Sequence, residues 1–127
     1  MQGISAFLGS YPKEVIIFHV QRQFFNSAEE HREFINIIKQ NGLWDKLASR
    51  DDFSTKSTLS DFENQGKNVV LIHDLPRALD TPLLWETSRI VNPWANSVEV
   101  DDTINFLEKK LKKRTYDYFH VFQSVLT

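Results

Sequence analysis

Two apolar runs in this chain each end in polar groups that could do chemistry. Val15-Ile16-Ile17-Phe18 leads into His19, Gln21 and Arg22, and Val69-Val70-Leu71-Ile72 leads into His73 and Asp74. An apolar run that closes on polar side chains is how a parallel sheet feeds a site at its carboxyl edge. An imidazole there could move a proton, and an amide or guanidinium could hold hydroxyls or an oxyanion. Each group also has a plainer reading. His19 lies inside its run, where a histidine is commonly a hydrogen-bonded packing residue, and Gln21 and Arg22 could form a solvated strand end. Neighbours such as His73 and Asp74 point to opposite faces of a strand, so they are no dyad by themselves, and they could simply cap a loop. Trp94 and Asn96 form a third group, in a Pro-rich segment. The indole could stack on a flat ligand or pack the loop.

The elements around these groups alternate. Ile4, Phe7 and Leu8, followed by Gly9, predict a helix over 2–10. Pro12 marks a turn, and five of the seven residues in 14–20 are apolar, which predicts a strand. Ser27 and Glu30 match a capping box; Phe34, Ile35 and Ile38 form the buried stripe of the helix they open, and Gly42 stops it. Leu43, Trp44 and Leu47 read as a short packed turn, 48–56 as a polar loop, and 57–65 as a short helix closed by Gly66. Lys67 to Ile72 is the second strand. Residues 75–97 hold three prolines and read as a long irregular segment with a short strand at 89–91. Val100, Ile104, Leu107 and Leu111 share a face of a helix over 99–113, and Phe119 to Val125 reads as a final strand. The alternation predicts an α/β fold with parallel strands and crossover helices.

Composition narrows the function classes. The chain has 127 residues, 41% hydrophobic and 25% charged, with a net charge of −2, which favours a globular domain and gives no sign of nucleic-acid binding. With no cysteine, disulfides and thiolate catalysis are excluded. No apolar run reaches the ~20 residues that span a bilayer, and no signal peptide is read at the start. P-loop, GxGxxG, HExxH, GxSxG and cysteine-zinc patterns are all missing. Lys109 to Arg114 is the one charge cluster. It could touch anionic lipid, or be the exposed end of a helix with Glu108 pairing Lys112. His31 and His120 read as structural, and Glu29, Glu30 and Glu33 as a solvated face.

Four segments, in order, resemble the phosphatidylinositol-specific phospholipase C X-domain family, in its animal X-domain-containing form. They are Tyr11 to Gln21; Thr58-Leu59-Ser60-Asp61-Phe62 with Gly66 to Ile72; Leu84-Trp85 with Pro93-Trp94-Ala95-Asn96; and Phe119 to Thr127. None is specific alone, but together they cover nearly the whole chain. The resemblance implies a partial TIM-like (β/α) barrel of about strands four to seven, since such barrels need about 250 residues. Residues 1–127 would then be the carboxyl-terminal part of the X domain, opening within a helix and closing after an apolar run.

The implied activity is that of a phosphoric diester hydrolase cleaving phosphatidylinositol or a related phospholipid by general acid–base catalysis. In that family one histidine activates the inositol 2-hydroxyl, a second protonates the diacylglycerol oxygen, and an arginine steadies the phosphorane. All are expected outside this chain, so no catalytic residue is assigned here. Gln21 falls where calcium-dependent members carry glutamate; an amide is a poor substitute on a hard cation, so no calcium, other metal or cofactor is expected. The resemblance makes Gln21, Arg22, His73, Trp94 and Asn96 candidates for contact with the phospholipid head group at a membrane surface. The alternative is a catalytically inactive lipid- or protein-binding remnant of the same fold. Exposed sheet edges would favour self-association or a complementing chain.

Overall fold

Five consecutive residues, Val69 to His73, are all buried. That is what a central parallel strand requires, because it is covered on both faces. The computed structural model describes residues 1–20, 27–73 and 81–124, in two units, Met1–Thr87 and Ser88–Thr127.

In the first unit, helix α1 (Gln2–Ser10) precedes strand β1 (Ile16–Val20), helix α2 (Ala28–Gln40), a 3-10 turn at Trp44–Lys46, helix α3 (Leu59–Gln65), strand β2 (Val69–His73) and strand β3 (Leu84–Glu86). The order across the sheet is β1-β2-β3, and both pairings are parallel. The register sets Phe18, Leu71 and Leu84 in one row and Val20, His73 and Glu86 in another. Side chains alternate along a strand, so Val69 and Leu71 share a face. There they join Leu8 of α1, Ile38 of α2, Leu43, Leu47 and Leu84 in one core, edged by Phe18, Phe34, Ile35 and Trp44. Val70, Ile72 and Trp85 turn to the other face and are buried too, and the Trp85 indole donates to the Ala48 carbonyl at 2.8 Å.

The helix boundaries follow from caps. The Ser27 hydroxyl accepts from the Glu30 amide at 3.2 Å. Thr58 and Asp61 form a complete reciprocal capping box: each side chain takes the other's backbone amide. Gly66 ends α3 in the left-handed region at φ 62°. A Cβ there would meet nothing within 4 Å, so the backbone alone sets the cost. We expect Gly66→Ala to lower stability by about 1–2 kcal/mol. Gly3→Ala, inside α1 with equally open surroundings, should raise it by about 0.5–1 kcal/mol. Paired urea titrations check both signs; equal effects would remove the backbone explanation.

Sequence reading assigned 75–97 as irregular apart from 89–91, yet β3 lies within it. Its anchors are long-range: the Arg50 guanidinium donates to the Leu84 carbonyl at 2.7 Å, and the Arg50 amide to the Pro82 carbonyl at 2.9 Å.

The second unit is a β-α-β element. Strand β4 (Ile90–Val91) pairs parallel with strand β5 (Phe119–His120), and helix α4 (Val100–Lys112) connects them. The expected strand over 119–125 is thus shorter, with a further parallel bridge between Trp94 and Gln123; residues 125–127 lie outside the described part. The apolar spacing of α4 is present, but Val100, Ile104 and Leu111 are all about half exposed, and its one buried residue is Thr103. Glu108 and Lys112 form no ion pair; Lys110 instead sets its ammonium 5.4 Å from the Phe106 ring. The mixed α/β class and its parallel strands are as the alternation predicted.

Candidate functional site

The carboxyl ends of β1, β2 and β3 fall in one row, Val20, His73 and Glu86. In a parallel sheet this edge is where a site is built. Glu86 is exposed at that edge. Sequence reading missed it because β3 is only three residues long and sits among prolines, with no run long enough to show a period.

His73 takes the face set by alternation with Val69 and Leu71, which is the face under α2. It is 1% exposed. Its ring meets His31 edge-on at 5.4 Å between centroids and Phe34 at 5.7 Å. No sequence signal joins residues 31 and 73; only the packing of α2 on β2 does. His19 pairs with Ile72 in the register and so points to the opposite face, half-buried. The two strand histidines therefore do not converge. Gln21, Arg22 and Asp74 lie outside the described residues.

In the second unit Trp94 is 47% exposed, on a segment bridged to Gln123, whose side-chain amide donates to the Asn92 carbonyl at 3.1 Å. Asn96, two residues on and also exposed, takes φ 51°. Asparagine tolerates this left-handed conformation better than other side-chain-bearing residues. The pair presents a flat indole and a carboxamide on one short stretch. Such a surface can stack on the apolar face of a polyol ring and hydrogen-bond its hydroxyls. His120 is tied down, with Nε2 2.9 Å from the Thr115 carbonyl. Among the described residues no three His, Asp or Glu side chains gather as a metal set, and no helix is long and apolar enough to cross a membrane.

No family model matches the chain, and no solved structure does. Among curated proteins it is 30% identical over 125 residues to PI-PLC X domain-containing protein 2 of Mus musculus, and equally so to the Homo sapiens protein of the same name. These alignments take in 98% of the chain and 36% and 40% of the relatives. PI-PLC X domain-containing protein 3 of Homo sapiens is 24% identical over 128 residues, covering all of the chain and 39% of the relative. The chain thus spans less than half the length of the curated relatives it matches. The similarity runs from end to end of the sequence, through all four segments that carried the resemblance, and it supports assignment of the chain to the X-domain family.

Proposed function

We propose that this chain is part of an X domain whose parent protein is a phosphoric diester hydrolase of the phospholipase C type, acting on phosphatidylinositol or a related phospholipid. The observation that carries the reading is the similarity, along the whole of this chain, to part of the PI-PLC X domain-containing proteins. Parallel pairing in both units adds support, since it suits a TIM-like barrel to which this chain gives about strands four to seven.

In this reading the reaction is metal-independent general acid–base catalysis. A base takes the proton of the inositol 2-hydroxyl, that oxygen attacks phosphorus, and an acid protonates the departing diacylglycerol oxygen. The two proton-transfer groups come from elsewhere in the domain. This chain supplies head-group contacts, taken unit by unit: in the second, Trp94 stacks on a polyol ring and Asn96 takes a hydroxyl; in the first, Gln21 and Arg22, which follow Val20 in the sequence, take hydroxyl or phosphate oxygens. His73 holds the strand end in place from beneath. The edges at β1 and β3 pair with the remaining barrel strands.

The test is inositol phosphate release from phosphatidylinositol vesicles in the presence of a chelator. Residues 1–127 alone should be silent, because each missing proton-transfer group is typically worth 10²–10⁴-fold. A longer chain carrying upstream coding sequence should turn over, and Trp94→Ala in it should weaken vesicle substrate binding about 2- to 10-fold, the loss of one stacking contact. Silence in both chains would favour an inactive lipid- or protein-binding remnant. Turnover by 1–127 itself would overturn the division of labour and point to His19.

A further inference from the structure

A second surface lies along α2, adjoining the β2 strand end through His31, which packs on His73. Beside α2, on the helix-covered side of the sheet, lies a cleft of about 350 Å³. That is within the range of small-molecule pockets. Arg32, Asn36 and Lys39 recur at i, i+4 and i+7, so one flank of the helix lines it. Ile35, Trp44 and the fully buried Leu84 are its apolar lining residues.

The lining is electrostatically one-sided. Among the described residues it carries Arg32, Lys39 and the imidazole of His31, and no carboxylate. The acids of α2, Glu29, Glu30 and Glu33, are not among its lining residues, in a protein whose net charge is −2. Arg32 and Asn36 make no hydrogen bond or ion pair among the described residues. Lys39 is held by a cation–π contact, its ammonium 4.6 Å from the Trp44 ring. The donors of Arg32 and Asn36 thus stand unspent beside an indole and the Ile35 side chain.

We propose that this cleft binds a small organic oxyanion, a phosphate or carboxylate carried on a flat apolar body. The Arg32 guanidinium offers the planar fork that matches either oxyanion, and Lys39 adds a point charge. The body lies on Trp44 and Ile35, where burial rewards carbon and not free phosphate. Both parts are required, so neither an inorganic anion nor a neutral aromatic reproduces the binding.

Amide chemical-shift titrations of isotopically labelled protein test it with four probes: phenyl phosphate, benzoate, inorganic phosphate and benzyl alcohol. Phenyl phosphate or benzoate, or both, should move the amides of 31–44 and 83–84 saturably, at least about tenfold more tightly than inorganic phosphate and benzyl alcohol. Comparing the first two tells phosphate from carboxylate. The double variant Arg32→Gln with Lys39→Gln, both at exposed positions, should lose this binding at least about tenfold while its spectrum stays dispersed. Glu33→Gln should bind as the parent does. If inorganic phosphate binds as well as phenyl phosphate, or if the double variant binds unchanged, the flank is only a solvated charged face and the proposal is wrong.

Discussion

Replacing Leu71 with alanine should destabilise the first unit by about 2–5 kcal/mol, the span found when a large aliphatic side chain is removed from a core. Leu71 is 1% exposed at the middle of β2. Its register partners, Phe18 and Leu84, stand on either side of it, and Leu8, Ile38, Leu43 and Leu47 belong to the same cluster. Two strands and two helices thus border the space that the substitution would empty, and neither strand can move in without breaking its ladder. Native domains are stable by only about 5–15 kcal/mol in total, so this loss takes much of the margin. Leu59→Ala is the control. That side chain is 69% exposed at the first position of α3, and its loss should stay within about 0.5 kcal/mol. Urea midpoints followed by far-ultraviolet circular dichroism measure both. A Leu71→Ala protein as stable as Leu59→Ala would mean that this cluster is not the core.

Where the sequence was readable, a strong local signal explains it. Val-Val-Leu-Ile cannot be mistaken for a surface segment, and β2 is buried throughout. Ser27, Gly42 and Gly66 fix helix ends because their physics acts within a few residues. β3 failed for the opposite reason: it exists through Arg50 and a register with β2, partners that lie far off in sequence. The spacing of Val100, Ile104, Leu107 and Leu111 gave the face of α4 correctly but not its exposure, because periodicity shows that a face exists and not what lies over it.

The site divides the same way. Sequence put His73 at a strand end, and it is there, but which face it takes depends on where α2 packs. No sequence signal marks the Arg32–Lys39 flank of α2. Arg32 and Lys39 acquire meaning only once Trp44 and Leu84 line the cleft with them. The family was legible because it rested on four weak segments in order, and at 24–30% identity order survives better than any single motif.

Replacing Asn68 with aspartate should cost about 3 kcal/mol or more near pH 7, and the cost should grow with pH. Asn68 is 4% exposed and closes the path from the first turn into β1. Its side-chain amide donates to the Pro12 carbonyl at 3.2 Å and the Glu14 carbonyl at 3.1 Å, while its backbone carbonyl accepts from the Ile16 amide at 2.9 Å. A carboxylate there has no donor to give. It would set its charge against two carbonyl oxygens in a buried place, which raises its pKa in the folded state above the ordinary value of about 3.9. The sign follows. As pH rises past about 4 the unfolded chain loses this proton first, so the unfolded state gains and stability falls, until the raised folded pKa is passed and the curve levels. The slope in that window approaches about 1.4 kcal/mol per pH unit. At low pH the protonated acid can still donate to one of the two carbonyls, so part of the loss returns. Asn68→Leu separates the charge from the lost bonds: it gives up both donations, at about 0.5–1.5 kcal/mol each, with no added pH dependence. Urea midpoints at several pH values between 4.5 and 7.5 decide the matter. If Asn68→Asp runs parallel to Asn68→Leu across that range, the side chain reaches water and the clamp between β2 and the turn ahead of β1 is not closed.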